Sequence, residues 1–170
     1  MNNLFKKIIH LTALTSLPAV LFTLTIPSDP AAAQGFSSCV RNLVGSGITE
    51  DQAGTACADA LQPRDLSVCV QRVTNNTSIK AEDALQACYR VRRPRDLASC
   101  VVRISSNIEN AGNDVLALDN CRRSLLPDRY SECVVALNAN LTKISASQAM
   151  ETCISAEAFP RDLFPGRDSN

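Results

Sequence analysis

Cysteine recurs along this chain at regularly alternating long and short intervals, as Cys39, Cys57, Cys69, Cys88, Cys100, Cys121, Cys133 and Cys153. The residues around each cysteine recur with it. Aligning alternate cysteines gives "FSSCVRNL" from Phe36, "LSVCVQRV" from Leu66, "LASCVVRI" from Leu97 and "YSECVVAL" from Tyr130. Each copy places apolar residues at i, i+3, i+4 and i+7, one face of an α-helix written four times. We call this segment helix A.

The remaining cysteines close a second segment, helix B. It reads "ITEDQAGTAC" to Cys57, "IKAEDALQAC" to Cys88 and "ISASQAMETC" to Cys153, with Ile nine residues and Ala four residues before the cysteine. The third copy, "GNDVLALDNC" to Cys121, lacks the Ile and follows a longer loop. Thr49 with Gln52, and Ser145 with Gln148, fit capping boxes. In such a box the hydroxyl accepts an orphan N–H of the first turn and the Gln side chain returns to the cap residue. Ile48 and Ile144 stand just outside the cap, placed to staple onto Ala53 and Ala149. Lys80 at the cap of the second copy departs from this rule. A period of 30 to 33 residues between helix A cysteines predicts helical hairpins. The expected fold is all-α: four αα-hairpins over about 36–62, 63–93, 94–126 and 127–159, stacked as a short solenoid or compact bundle.

Between one helix B and the next helix A the chain writes "PRDL", at Pro63–Leu66, Pro94–Leu97 and Pro160–Leu163, altered to "PDRY" at Pro127–Tyr130. Proline stops the preceding helix and suits the first turn of the next. Asp then meets the positive end of the helix dipole, worth ~0.3–1 kcal/mol at a surface. Leu or Tyr opens the buried stripe. The order is that of structural punctuation, because a catalytic Arg-Asp pair would have no reason to recur at every junction. The last copy runs into Pro165 and Gly166, so a fifth repeat starts and stops, giving a terminal cap over 160–170.

Two pairing schemes suit the cysteines. One joins A to B within a hairpin, as Cys39–Cys57, Cys69–Cys88, Cys100–Cys121 and Cys133–Cys153. The other joins B to the next A, as Cys57–Cys69, Cys88–Cys100 and Cys121–Cys133, and leaves two cysteines over. Parity favours the first, since an unpaired thiol is a liability outside the cytosol. Constant spacing speaks for the second.

Residues 1–33 read as a secretory signal. Lys6 and Lys7 precede an apolar stretch from Ile8 to Ile26, and Ala31 and Ala33 supply the small residues before a cut after Ala33. The mature domain would run over 34–170, with an even cysteine count suited to disulfides in a secreted or periplasmic setting. Removing Lys6, Lys7 and Asp29 from 17 basic and 17 acidic residues leaves a net charge near −1. That balance makes no general case for nucleic acid or an anionic membrane as partner. Without Trp, the core must be built from Ala, Val and Leu, so the crosslinks carry much of the stability.

The only histidine, His10, lies in the signal, which removes imidazole-based catalysis and most zinc sites. Metal and cofactor are therefore not expected. The carboxylate pairs Glu50-Asp51 and Glu82-Asp83 fall at helix starts, where the dipole accounts for them. The candidate binding residues are arginines: Arg90, Arg92, Arg93 and Arg95 in "YRVRRPRDL", and Arg122 with Arg123. Arg90 and Arg123 are equivalent in the repeat, as are Arg72 and Arg103, so stacking would set them in short columns, with Asp59 at one end. Arg suits bidentate contacts to carboxylate or sulfate. The expectation is a non-catalytic interaction or structural module, docking an acidic protein or polyanionic polysaccharide. The alternative is a carrier of a small apolar ligand between the helices. Asn75, Asn76 and Asn140 stand in N-x-S/T contexts, glycosylation acceptors in a eukaryotic host. Over 36–163, the C-V-x-x-apolar helix, the "ISxxQAxxxC" helix and the P-x-D-L junction resemble repeats of uncharacterised exported cyanobacterial proteins, a resemblance that implies no activity.

Overall fold

A computed structural model describes residues 30–108 and 113–157. The signal reading over 1–29, the middle of the third hairpin loop, and the last PRDL with its cap lie outside the described residues. Among the described residues there are eight α-helices and no strand. In chain order they are α1 (Pro30–Gly45), α2 (Glu50–Asp59), α3 (Pro63–Asn76), α4 (Ala81–Tyr89), α5 (Pro94–Asn107), α6 (Asp114–Arg123), α7 (Pro127–Asn140) and α8 (Ala146–Ala156). Odd-numbered helices are A and even-numbered helices are B. A cut after Ala33 would fall within the first turn of α1.

The junctions behave as punctuation. Pro63, Pro94 and Pro127 each occupy the start of an A helix, with Asp65, Asp96 and Asp128 in the first turn. Leu66, Leu97 and Tyr130 follow and are buried. At the B helices, the Ser145 hydroxyl accepts from Gln148 N while Gln148 returns to the Ser145 N–H, a complete capping box. At α2 the Thr49 hydroxyl accepts from Gln52 N. Lys80 gives α4 no side-chain cap.

The A helices form one row, α1 on α3 on α5 on α7; each B helix packs against its own A helix, and α2, α4 and α6 also touch the next one. This arrangement buries Leu43, Val70, Val73, Val101, Ile104 and Val134 completely. On the B side Ala53, Ala84, Ala117 and Ala149 are equally buried, each four residues before its cysteine. Alanine is required there because a B helix carrying its cysteine must approach the A layer closely. Ser67, Ala98 and Ser131, two residues before the A cysteines, are also fully buried, and their small side chains bring neighbouring A helices together.

Every disulfide lies within a hairpin: Cys39–Cys57, Cys69–Cys88, Cys100–Cys121 and Cys133–Cys153. Cα–Cα distances of 5.9 or 6.0 Å place both cysteines of each pair at one level. The pairs close 18, 19, 21 and 20 residues, and loops of this length are worth ~3 kcal/mol each in the chain-entropy account. Four such bonds point to a non-reducing environment.

Polar contacts tie each repeat to the next, and most were not legible in the sequence. The Asn42 side chain donates to Ser67 Oγ at 3.4 Å, Arg72 to Ser99 Oγ at 3.1 Å, and Arg103 to Ser131 Oγ at 3.3 Å and Glu132 at 3.1 Å. All three donors sit three residues after an A cysteine. The Arg72 and Arg103 column therefore serves as pegs into the neighbouring helix. Two carboxylates make a second kind of tie. Asp114 Oδ2 accepts from Ser78 N and Ser78 Oγ, both at 2.8 Å, joining the second and third hairpins. Glu157 accepts from Ser124 Oγ at 2.6 Å and Leu125 N at 3.0 Å, joining the third and fourth.

Tyr130 stands where two other repeats have Leu. Its hydroxyl donates to Met150 O at 3.3 Å, and the Asn120 side chain, buried where the second repeat has Ala87, also pairs with it. Burial pushes the phenol up to about 12; Asn120 opposes the shift, Glu151 and Glu157 add to it, and Arg123 opposes it. Because the folded value is raised, this stabilisation is present below pH 10 and is lost as pH climbs towards 12. Asp114 shows the opposite sign. Burial would raise its value, but the Ser78 N–H, the Ser105 hydroxyl and the Ser78 hydroxyl outweigh it and hold the carboxyl below its ordinary 3.8.

Two outcomes test this account. Alkylation without reductant should label no thiol, and replacing Cys69 and Cys88 together by Ala should remove ~3 kcal/mol, read as a lower urea midpoint. Asp114→Asn should cost about 1.5–3 kcal/mol at neutral pH, the usual worth of hydrogen bonds to a charged group. Its depressed folded value makes the Asp114 contribution present above pH 3.8 and lost below it. Urea midpoints of wild type and variant should therefore converge on acidification.

Candidate functional site

All B-to-A turns fall along one edge of the row of hairpins, because every hairpin runs in the same direction. The arginines singled out in the sequence collect there, but the structure divides them. Arg95 Nε donates to Asp65 Oδ1 at 2.6 Å, so the Arg of one PRDL meets the Asp of the PRDL before it. Arg93 pairs with Asp96 at 3.3 Å. In the next junction the order is PDRY and Asp128 stands in the Arg position, so no arginine there can repeat the Arg95 contact. Arg122 and Arg123 both turn to Asp119, at 2.8 and 3.7 Å. Exposed pairs of this kind give ~0.2–1 kcal/mol, so their main effect is to neutralise the arginines. The Arg90 and Arg123 column thus retains an uncommitted charge only at Arg90.

Arg90 and Arg92 are exposed and, among the described residues, make no ion pair or hydrogen bond. They follow Tyr89, the last residue of α4, which is half-exposed. Two clefts meet at Tyr89. The first, about 310 Å³, lies between the α2–α3 and α4–α5 turns; Arg92 is on its rim and Ala60, Leu66, Val91 and Pro94 are in its walls. The second, about 530 Å³, runs between α2 and α4 with Ala56 and Leu85 in its lining and Arg90 at one end. Tyr89 and Asp59 line both.

The second cleft follows from residue size. On its α2 side the chain offers Gln52, Thr55, Ala56 and Asp59, and the short Thr and Ala leave space against Leu85 and Tyr89 of α4. Asp51 and Glu82 line its far end. The arrangement is a mixed trough: Ala56, Leu85 and Tyr89 are its apolar lining, and Gln52, Thr55 and Gln86 are polar. Arg90 and Asp59 stand at one end and Asp51 and Glu82 at the other, while Arg92 belongs to the first cleft. The two clefts can hold an apolar side chain and pair a carboxylate or sulfate at Arg90 or Arg92. Sequence reasoning found the arginines and missed Tyr89. The available signal was an aromatic residue directly after a buried cysteine, off the buried stripe.

Catalytic chemistry finds no comparable constellation. Glu50, Asp51, Glu82 and Asp83 are exposed in the first turns of α2 and α4. Among the described residues no group of three or more His, Cys, Asp and Glu could hold a metal ion, and no helix is long and apolar enough to cross a membrane. No family model, curated protein or solved structure matches the chain.

Proposed function

We propose that the chain is an exported, non-catalytic interaction module, a disulfide-locked row of helical hairpins that docks an acidic protein at the α4–α5 junction. One observation carries this reading: Arg90 and Arg92 have no intramolecular ion pair among the described residues, and each lines one of the two clefts that meet at Tyr89. Unpaired guanidinium groups are suited to carboxylates. The apolar parts of the cleft walls, Ala60, Leu66, Val91 and Pro94 in the first and Ala56, Leu85 and Tyr89 in the second, favour a protein surface over a polysaccharide, because an apolar anchor can rest on them. Export follows from the order of basic, apolar and small residues in 1–33, with a secreted or periplasmic location for the folded domain. Kinship with the exported cyanobacterial repeat proteins belongs to the same reading. Carriage of a small apolar ligand would have to use these open clefts, since Leu43, Val73 and Ile104 fill positions between the helix layers.

Retention on immobilised polyglutamate and on dextran sulfate tests the docking face. The protein should be held on polyglutamate at low ionic strength. Arg90→Glu with Arg92→Glu should elute without retention, while Arg122→Glu with Arg123→Glu should behave as wild type. Equal retention of all three proteins would end the proposal. Retention on dextran sulfate alone would replace the acidic protein with a sulfated polysaccharide.

A further inference from the structure

The row of B-to-A turns carries a second feature. The residue two places before each junction proline is Leu61, Arg92 and Leu125 in successive repeats. Leu61 is 100% exposed and Leu125 80% exposed, and the adjacent Leu126 is 49% exposed. Neighbouring A helices stand roughly 8–10 Å apart, which sets the first and third turns on the order of 20 Å from each other along the edge. The leucines are at turn tips and project into solvent; Leu61 borders the 310 Å³ cleft, and Leu125 and Leu126 border, with Arg129 and Glu157, a shallow cleft of about 260 Å³.

Each leucine-bearing turn has its own uncommitted cation just beyond the proline. Arg64 follows Leu61, and Arg129 follows Leu125 and Leu126. Both are exposed and unpaired among the described residues. Asp59 is the one carboxylate of the edge without a partner among the described residues. The others are engaged: Asp65 with Arg95, Asp96 with Arg93, Asp119 with Arg122 and Arg123, Asp128 with Arg103, and Glu157 with Ser124 and Leu125. The balance of uncommitted charge along the edge is therefore positive, although that of the mature chain is not.

We propose that this edge seats on an anionic lipid bilayer, with Leu61 on one side and Leu125 with Leu126 on the other entering the interface while Arg64 and Arg129 meet lipid phosphates. A soft apolar medium accepts convex leucines without a matching pocket, and the guanidinium groups stay at headgroup level. Basic residues at such a surface add attraction that salt screens. The inference goes beyond acidic-partner docking; it shares the α2–α3 turn with the first cleft but rests on different side chains, the leucines with Arg64 and Arg129.

The chain has no Trp, so Leu61→Trp makes a single-tryptophan reporter. Its emission should shift to the blue with vesicles of phosphatidylcholine containing phosphatidylglycerol, and a Trp placed at Glu50 on the opposite edge should not shift. Co-sedimentation with those vesicles should exceed that with phosphatidylcholine alone by about tenfold. Arg64→Glu with Arg129→Glu should remove that preference. Leu61→Ser with Leu125→Ser and Leu126→Ser should reduce sedimentation by about tenfold or more, each Ser replacing a transferable apolar side chain. Circular dichroism of each variant, expected to match wild type, serves as the folding control. An unshifted reporter, or sedimentation indifferent to the serine variant, overturns the proposal. If polyglutamate retention still depends on Arg90 and Arg92 in that event, the docking module stands without the bilayer; if it does not, both readings fall.

Discussion

The crosslink between the two helices of a hairpin is the constraint on which the rest of the structure depends. A B helix of nine to eleven residues is too short to hold together in water by its own hydrogen bonds. Here it is pinned near its last turn by a disulfide and seated by an alanine one turn earlier. That pairing lets an interior without Trp, made mostly of Ala, Val, Ile and Leu, remain closely packed. It also explains why the helix B sequences vary as widely as "AEDALQAC" and "DVLALDNC". Once cysteine and alanine are in place, the intervening residues face outward or pack only lightly.

A pinned hairpin still has one apolar side to cover, and the next hairpin covers it. The A helices supply that continuity. Small residues before each cysteine bring them close, and a polar side chain three residues after it reaches into the neighbour. Asn42, Arg72 and Arg103 are three different residues performing one task at equivalent positions. The carboxylate ties at Asp114 and Glu157 act at opposite edges of the row and link different pairs of hairpins. Together with the buried Tyr130–Asn120 pair, they make the third and fourth repeats more polar inside than the first two.

The edge formed by the B-to-A turns is where the repeats depart from one another most. The junctions share their proline, yet the residues before it are Leu-Gln, Arg-Arg and Leu-Leu. Packing constrains the proline and the buried residue three places later, and it leaves the turn tips free. An exposed edge with conserved spacing and varied side chains is a scaffold for recognition. Loops held by a rigid frame are where proteins place binding chemistry.

The helices, their pairing into hairpins and their stacking were legible in the sequence because each follows from a local period repeated four times. Cys, Val and Leu spaced by a helical turn, or Pro before Asp, have the same meaning wherever they occur. Disulfide pairing was narrowed to two schemes by counting, and only the folded chain decided between them, since both join antiparallel neighbours at similar levels. The candidate site was half legible. Its arginines stood out by composition, but which remained uncommitted depended on Asp65, Asp96 and Asp119, whose positions relative to them are set by stacking. Tyr89 and the trough between α2 and α4 belong to tertiary structure alone: one sequence shows that Thr55 and Ala56 are small, and only packing shows that nothing larger fills the space above them.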